Sequence, residues 1–368
     1  MPLLLKQIIK SISTVLVLLC TGQWLVAQDI QFSQFYVVPM YLNPAFAGSG
    51  HNFRGTLHQR LQWPRLDAKF TTSLFSVDGF SHRYRSGFGL MAIQDYQGAS
   101  VISSSQVGVQ YSYELHLNSE FTVRAGLGAD FLSRSLDYST LRFPSQFNDS
   151  TGYSGFGNNL ENPRKNMVSL GSGLVLYSKK FWTSIAANHM NQPNQSFVGE
   201  VSKLPLKMSF TAGYKIPLKE SKQMAYLEEE QKDVSITPTA HYKFQGKSDQ
   251  LDIGLYGIYD KVIAAVWYRG IPIKNYDKKL PNNESMVFIA GFMSGSFSFT
   301  YSYDFTVSKL AQSPTGGSHE INITYIHKHH PKTVKPMRRL PCPNFYRENK
   351  NLKPHQDLRP SSGHPHIH

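Results

Sequence analysis

The sequence predicts an all-β chain, a transmembrane outer-membrane β-barrel of about 14 antiparallel strands with a basic C-terminal tail on the periplasmic side. Three observations carry this. Apolar and polar residues alternate with period two over residues 51–326, in runs about as long as the 9–11 residues of a tilted membrane strand. Beyond the extreme N-terminus no apolar run approaches the roughly 20 residues that a membrane-spanning helix needs. Aromatics reach 13%, with 20 Tyr and 23 Phe, while charged residues make up only 17%, against about 25% in an ordinary soluble domain. With 40% apolar residues the chain can bury a core, which excludes a low-hydrophobicity disordered protein.

Residues 1–27 read as a signal peptide. Lys6 and Lys10 form its basic start, an apolar stretch covers residues 12–20, and Leu25-Val26-Ala27 ends in the small residue that a cleavage site requires. Cutting after Ala27 leaves Gln28 first. Cys20 does not suit a lipoprotein site, because Leu19 stands where a small residue is needed. Loss of Lys6 and Lys10 lowers the formal charge from +13 to +11, and Cys342 then remains as a single thiol with no internal disulfide to form.

Residues 28–50 are aromatic and interrupted by Pro39 and Pro44, which excludes an ordinary central strand. The simpler expectation is an irregular segment at the periplasmic mouth of the barrel; the sharper one is that it plugs the lumen.

The barrel strands follow. Val107, Val109, Tyr111, Tyr113, Leu115 and Leu117 share one face; Gly108, Gln110, Ser112, Glu114 and His116 share the other. The next run sets Phe121, Val123, Ala125, Leu127, Ala129 and Phe131 against Thr122, Arg124, Gly126, Gly128 and Asp130. Further on, Met208, Phe210, Ala212 and Tyr214 oppose Lys207, Ser209, Thr211 and Lys215, and Phe297, Phe299, Tyr301, Tyr303 and Phe305 oppose Ser298, Thr300, Ser302 and Asp304. Apolar faces with Tyr and Phe near their ends suit lipid, and the small polar faces suit a lumen. The connections sort by length. Short ones fall at residues 116–119, 177–180, 259–261 and 294–296, and long ones at 135–165, 191–203, 271–285 and 308–318, as expected of periplasmic turns and external loops. Residues 219–232, with Glu228, Glu229 and Glu230, break the rule by falling on the short-turn side.

After Ile326 the composition changes. Residues 327–368 hold nine Lys or Arg against Glu348 and Asp357, with seven His and seven Pro, a basic Pro/His-rich tail with no core of its own. Such a tail is either solvated or docks on a periplasmic partner or an anionic surface.

Candidate chemistry is sparse. His364, His366 and His368 could chelate a metal only weakly on a flexible end. Gly126-Leu127-Gly128 and Gly171-Ser172-Gly173 superficially suggest phosphate loops, but neither opens a helix, so close packing in a strand is the better reading. Glu114, His116, Arg124, Asp130, Lys207 and Lys215 are expected to face the lumen, where scattered charges are ordinary. No Ser/His/Asp grouping or paired carboxylate stands out, so no catalytic, cofactor-binding or metal-binding residue is assigned and no cofactor is expected. An exported barrel is a poor partner for nucleic acid, whatever its charge. Its other expected partner is outer-membrane lipid.

The N-terminal run Gln28-Asp29-Ile30-Gln31-Phe32-Ser33-Gln34-Phe35, followed by Tyr41-Leu42-Asn43-Pro44-Ala45-Phe46-Ala47-Gly48, resembles the hallmark of the PorP/SprF family of the type IX secretion and gliding-motility machinery. Further matches are His189-Met190-Asn191-Gln192-Pro193, Trp267-Tyr268-Arg269-Gly270, Tyr303-Asp304-Phe305-Thr306-Val307-Ser308-Lys309-Leu310, Gly316-Gly317-Ser318-His319-Glu320-Ile321 and Leu340-Pro341-Cys342-Pro343-Asn344-Phe345. Residues 346–368 carry none of it. The resemblance implies a barrel with no catalytic role. One branch of the family sits above a periplasmic ring of PorK/PorN-type lipoproteins. The other helps secrete and retain surface adhesins through a C-terminal domain of the cargo. The expected partners are therefore ring or motility lipoproteins and secreted cargo; a small-solute channel is the alternative. For the tail, Arg338, Arg339, Cys342, Pro343 and Phe345 are the candidate recognition core, a charged pair beside a rigid Pro-Cys-Pro turn and an aromatic anchor. For the loops, Phe143, Phe147, Tyr153 and Phe156 lie amid Gly and Asn in residues 135–165, a composition suited to adaptable contacts.

Overall fold

The computed structural model describes residues 29–67, 70–98, 101–137, 147–148, 152–153, 163–197, 201–218, 234–277, 280–307 and 315–327. For residues 272–277 and 280–282 and the two-residue strands Phe147–Asn148 and Gly152–Tyr153 only the backbone is described. Residues 1–27 and the tail beyond His327 lie outside the described residues.

Fourteen long strands form the sheet: β1 (Phe53–Gln62), β2 (Phe70–Ser81), β3 (Ser86–Gln97), β4 (Ile102–His116), β5 (Thr122–Leu136), β6 (Arg164–Tyr177) and β7 (Phe181–Asn188). They continue as β8 (Lys207–Tyr214, extended by Ile216–Pro217), β9 (Val234–Gln245), β10 (Ser248–Tyr259), β11 (Val262–Asp277), β12 (Leu280–Ser294), β13 (Phe297–Thr306) and β14 (Ser318–His327). Every pairing is antiparallel between chain neighbours, and β14 closes on β1 from Phe53↔His327 to Gln62↔Ser318. Closure leaves no sheet edge, the condition for strands to cross a membrane.

The alternation lands as expected. Along β13, Phe297, Tyr301 and Phe305 are exposed on the outside while Ser298, Thr300, Ser302 and Asp304 are buried inside. Leu57, Phe75, Leu90, Val109, Leu127, Leu170, Phe210, Leu255 and Phe288 continue the outer apolar surface around the wall. An exposed apolar band of this kind is the mark of a lipid-facing barrel.

The connections again form two sets. One end carries the turns after β2, β4, β6, β10 and β12, together with the start of β1 and the end of β14. Residues 218–233 also join β8 to β9 at this end, so the long connection on the short-turn side is real and the strand count holds. The opposite end carries the connections from β5 to β6, β7 to β8 and β13 to β14. One expected long loop is different: β11 and β12 run on as a paired hairpin to Asp277 and Leu280, with register shifts at Arg269/Gly270 and beyond Ile271. Bulges let the strands continue where an unpaired loop was expected over residues 271–285.

The core lies inside the barrel and is built around residues 29–51. Three single turns of helix follow one another there, Phe35–Val37, Pro39–Leu42 and Pro44–Phe46. Pro39 and Pro44 each start a turn, where a missing N–H costs nothing. The turns satisfy their own backbone, with Asn43 N–H donating to Pro39 O at 3.0 Å and Phe46 N–H to Asn43 O at 3.0 Å. Coiled turns therefore solve what a polar backbone faces in a closed lumen. Phe35, Tyr36, Val38, Met40 and Phe46 pack against Trp182, Tyr256, Ile263, Trp267 and Val287 of the wall, all of them buried. Of the two placements the sequence allows, the chain takes the interior one.

Candidate functional site: the filled lumen

The interior segment crosses the lumen from one end to the other, and each stretch is held by inward side chains of a different part of the wall. Asp29 marks one end. Its carboxylate lies 2.7 Å from His189 Nε2 and 3.3 Å from Lys207 Nζ, and its N–H donates to Gln245 Oε1 at 3.0 Å. His189 Nδ1 lies 2.7 Å from Ser169 Oγ, which fixes the ring between wall and segment.

The next station is a buried charge cluster. Glu320 accepts from the Ser33 N–H at 2.7 Å and the Gln34 N–H at 2.9 Å, and pairs with Arg60. Arg60 also donates to Ser33 Oγ at 2.8 Å, and the Ser33 hydroxyl donates to Asp304. Arg269 links Asp304 at 3.3 Å to Asp252 at 2.8 Å. Gln34 completes the cluster, donating to Ser302 Oγ at 3.1 Å and accepting from Thr300 Oγ1 at 2.5 Å. Aromatic rings cover this level: Phe35 stacks on His241 at 4.8 Å, and Tyr36 on Tyr256 at 5.6 Å.

Lower down, Asn43 reaches the wall backbone itself. Its amide donates to Ile185 O at 2.9 Å and Leu174 O at 3.3 Å, two carbonyls paired across the β6–β7 seam. Gly126 and Gly173 open the wall for this approach. A β-carbon on Gly126 would stand 2.2 Å from the Ala45 amide nitrogen, and one on Gly173 would stand 2.0 Å from Asn43 Oδ1. The two glycine pairs thus serve close packing: Gly126, Gly128 and Gly173 face the interior segment, and Gly171 faces Asn188 of β7.

The last station lies at the short-turn end. Arg124, fully buried, donates to Ala45 O at 3.1 Å, Ala47 O at 2.6 Å, Ser112 Oγ at 2.7 Å and Glu114 at 2.6 Å. Glu114 also accepts from the Tyr177 hydroxyl at 3.0 Å and faces His51 Nε2 at 2.8 Å. Asp78 holds Arg54 in a two-pronged pair at 2.7 and 2.8 Å and accepts from the Gly48 N–H at 2.8 Å.

A model of the family described as type IX secretion system membrane protein PorP/SprF matches residues 25–325. The chain belongs to this family. In this PorP/SprF chain the matched span takes in the interior segment and nearly the whole wall, and ends two residues before β14 does. Its scattered motifs meet in the lumen: Asp29, Asn43, His189, Trp267, Arg269, Asp304 and Glu320 all join segment to wall or brace that junction. The tail motif from Leu340 to Phe345 lies beyond the match. No curated protein matches the sequence. Among solved structures the PorP/SprF chain is similar to the toluene transporter TbuX of Ralstonia pickettii, with 13% identity, a TM-score of 0.43, and 80% of this chain and 94% of that one covered. It is also similar to the outer membrane protein Omp33 of Acinetobacter baumannii, with 8% identity, a TM-score of 0.39, and 76% and 100% covered.

Of the charges expected in the lumen, Glu114, Arg124 and Lys207 are buried there, and Asp130 is half-buried. His116 and Lys215 sit half-buried near the short-turn end. Asp304 lies on the polar face expected to line the lumen, whereas the inward Arg54, Arg60, Asp78, Asp252, Arg269 and Glu320 are not among the expected lumen charges; strand parity is the signal, since Arg54, His58 and Arg60 share a face with Thr56. The candidate partner residues Arg338, Arg339, Cys342, Pro343, Phe345, Phe143 and Phe156 lie outside the described residues. Phe147 and Tyr153 pair as backbone in a small hairpin between β5 and β6. Among the described residues no group of three His, Cys, Asp or Glu is placed to hold a metal ion.

Proposed function

We propose that this barrel is a non-catalytic, assembly component of the type IX secretion system. Its long loops bind secreted cargo or a surface adhesin at the external face, and its basic tail couples to ring or motility lipoproteins in the periplasm. In this reading the short-turn end, with the close of β14, faces the periplasm. The observation that supports it is the filled lumen. With residues 29–51 packed and hydrogen-bonded along the bore, partners have the rims, loops and tail to engage, and the segment occupies the space that a small-solute channel would need.

The test is affinity purification in mild detergent, with mass spectrometry, of the intact chain and one truncated after Ile326. Periplasmic lipoproteins recovered with the intact chain only assign coupling to the tail. Cargo retained by both forms assigns cargo binding to barrel and loops. Recovery of neither class with either form would sink the assembly reading.

A further inference from the structure

The direction of the interior segment fixes which face of the barrel its start belongs to. Asp29 is held by Gln245, the last residue of β9, by Lys207, the first of β8, and by His189, the first residue after β7. All three positions are at the long-loop end. The other end of the segment is equally plain. Gly48 is held by Asp78 near the close of β2, and His51 by Glu114 near the close of β4. Two residues later Phe53 opens β1 at the short-turn end. The chain therefore runs the bore from long-loop end to short-turn end before its first strand begins, while β14 finishes at the short-turn end.

We infer that Asp29–Gln31 form part of the surface exposed at the long-loop face, and that the chain preceding Asp29 leaves the lumen there. An even strand count places both ends of the sheet at the short-turn end, but the interior segment returns the start of the chain to the opposite face. Asp29, Ile30 and Gln31 are half-buried, whereas residues 32–40 are buried. Around them stand Lys207, Lys243, Ser248, Asp249 and Gln250 on one side and Asp95, Gln97 and Arg134 on the other. This ring is polar and of mixed charge, and it surrounds a segment that is covalently continuous with the opposite mouth. A partner seated on the long loops would meet the start of the chain as the floor of its site. This deepens the proposed cargo-binding reading and rests on it for which face is external.

Single cysteines in a Cys342→Ser background test this in intact cells with a membrane-impermeant maleimide. Gln31→Cys reports the segment, Lys247→Cys the exposed β9–β10 turn at the long-loop end, and Lys261→Cys the exposed β10–β11 turn at the other. The expected result is labelling of Gln31→Cys and Lys247→Cys on intact cells, and of Lys261→Cys only after the outer membrane is permeabilised. Gln31→Cys labelling together with Lys261→Cys and apart from Lys247→Cys would overturn the inference. So would a Gln31→Cys that labels only in denaturant while both turns label. If Gln31→Cys and Lys247→Cys label together but only after permeabilisation, the inference stands and the proposed orientation falls.

Discussion

Gly126 of β5 and Ala45 of the interior segment touch backbone to backbone: a β-carbon on Gly126 would stand 2.2 Å from the Ala45 amide nitrogen. The neighbour is main chain held by Arg124, so it cannot swing aside as a flexible side chain would. Gly126→Ala is expected to lower stability by about 1–3 kcal/mol, the usual range for overpacking, and to loosen residues 43–48. Denaturant unfolding of the refolded barrel, with amide exchange on those residues, checks both effects.

Glu114 is the shared acceptor for Arg124, Tyr177 and His51, and it is fully buried. Glu114→Ala strands a buried guanidinium, which costs about 3–5 kcal/mol. Replacing Glu114 and Arg124 together with Met is expected to recover part of that loss, because no lone charge then remains. The comparison of unfolding midpoints for the single and double variants decides it.

The Asp29 anchor predicts a local effect. His189→Ala removes a contact at 2.7 Å on each side of the ring while the lower stations stay intact. A loss of about 1–3 kcal/mol is expected from the hydrogen bond lost to the carboxylate, which keeps Lys207 at 3.3 Å. It should free residues 29–31 for proteolysis while the strands remain protected, as mass mapping of the fragments would show.

On the outer wall Leu127 projects from the middle of β5 and is 64% exposed. If the band it belongs to lies in hydrocarbon, Leu127→Arg costs about 2–4 kcal/mol in a bilayer and little in detergent that adapts around the charge. Unfolding measured in both media separates a lipid-facing surface from an ordinary solvent-exposed one.

The outer half of this architecture is written locally, and the inner half is not. The run Phe297-Ser298-Phe299-Thr300-Tyr301 declares a strand and its two faces within five residues, because side-chain parity is a property of consecutive positions. Arg60 and Glu320 are buried partners 260 positions apart, and no periodicity says which inward charge meets which. The same limit applies to Asn43: it lies in a segment that the sequence marks only as irregular, and the carbonyls it reaches belong to strands β6 and β7. The Gly126 and Gly173 motifs could be read as close-packing sites, yet what packs there required the path of residues 29–51. The extended β11–β12 hairpin was hidden because register shifts after Arg269 interrupt the parity that marks a strand.

The central claim is that residues 29–51 seal the lumen, and planar-bilayer conductance tests it most directly. The intact chain and a variant lacking residues 29–50 are refolded and inserted under the same conditions. The intact chain is expected to be electrically silent and the deletion variant to pass ions through a lumen lined by Arg54, Arg60, Asp78, Glu114 and Glu320. Steady conductance from the intact chain, equal to that of the deletion variant, would contradict the claim and favour a channel.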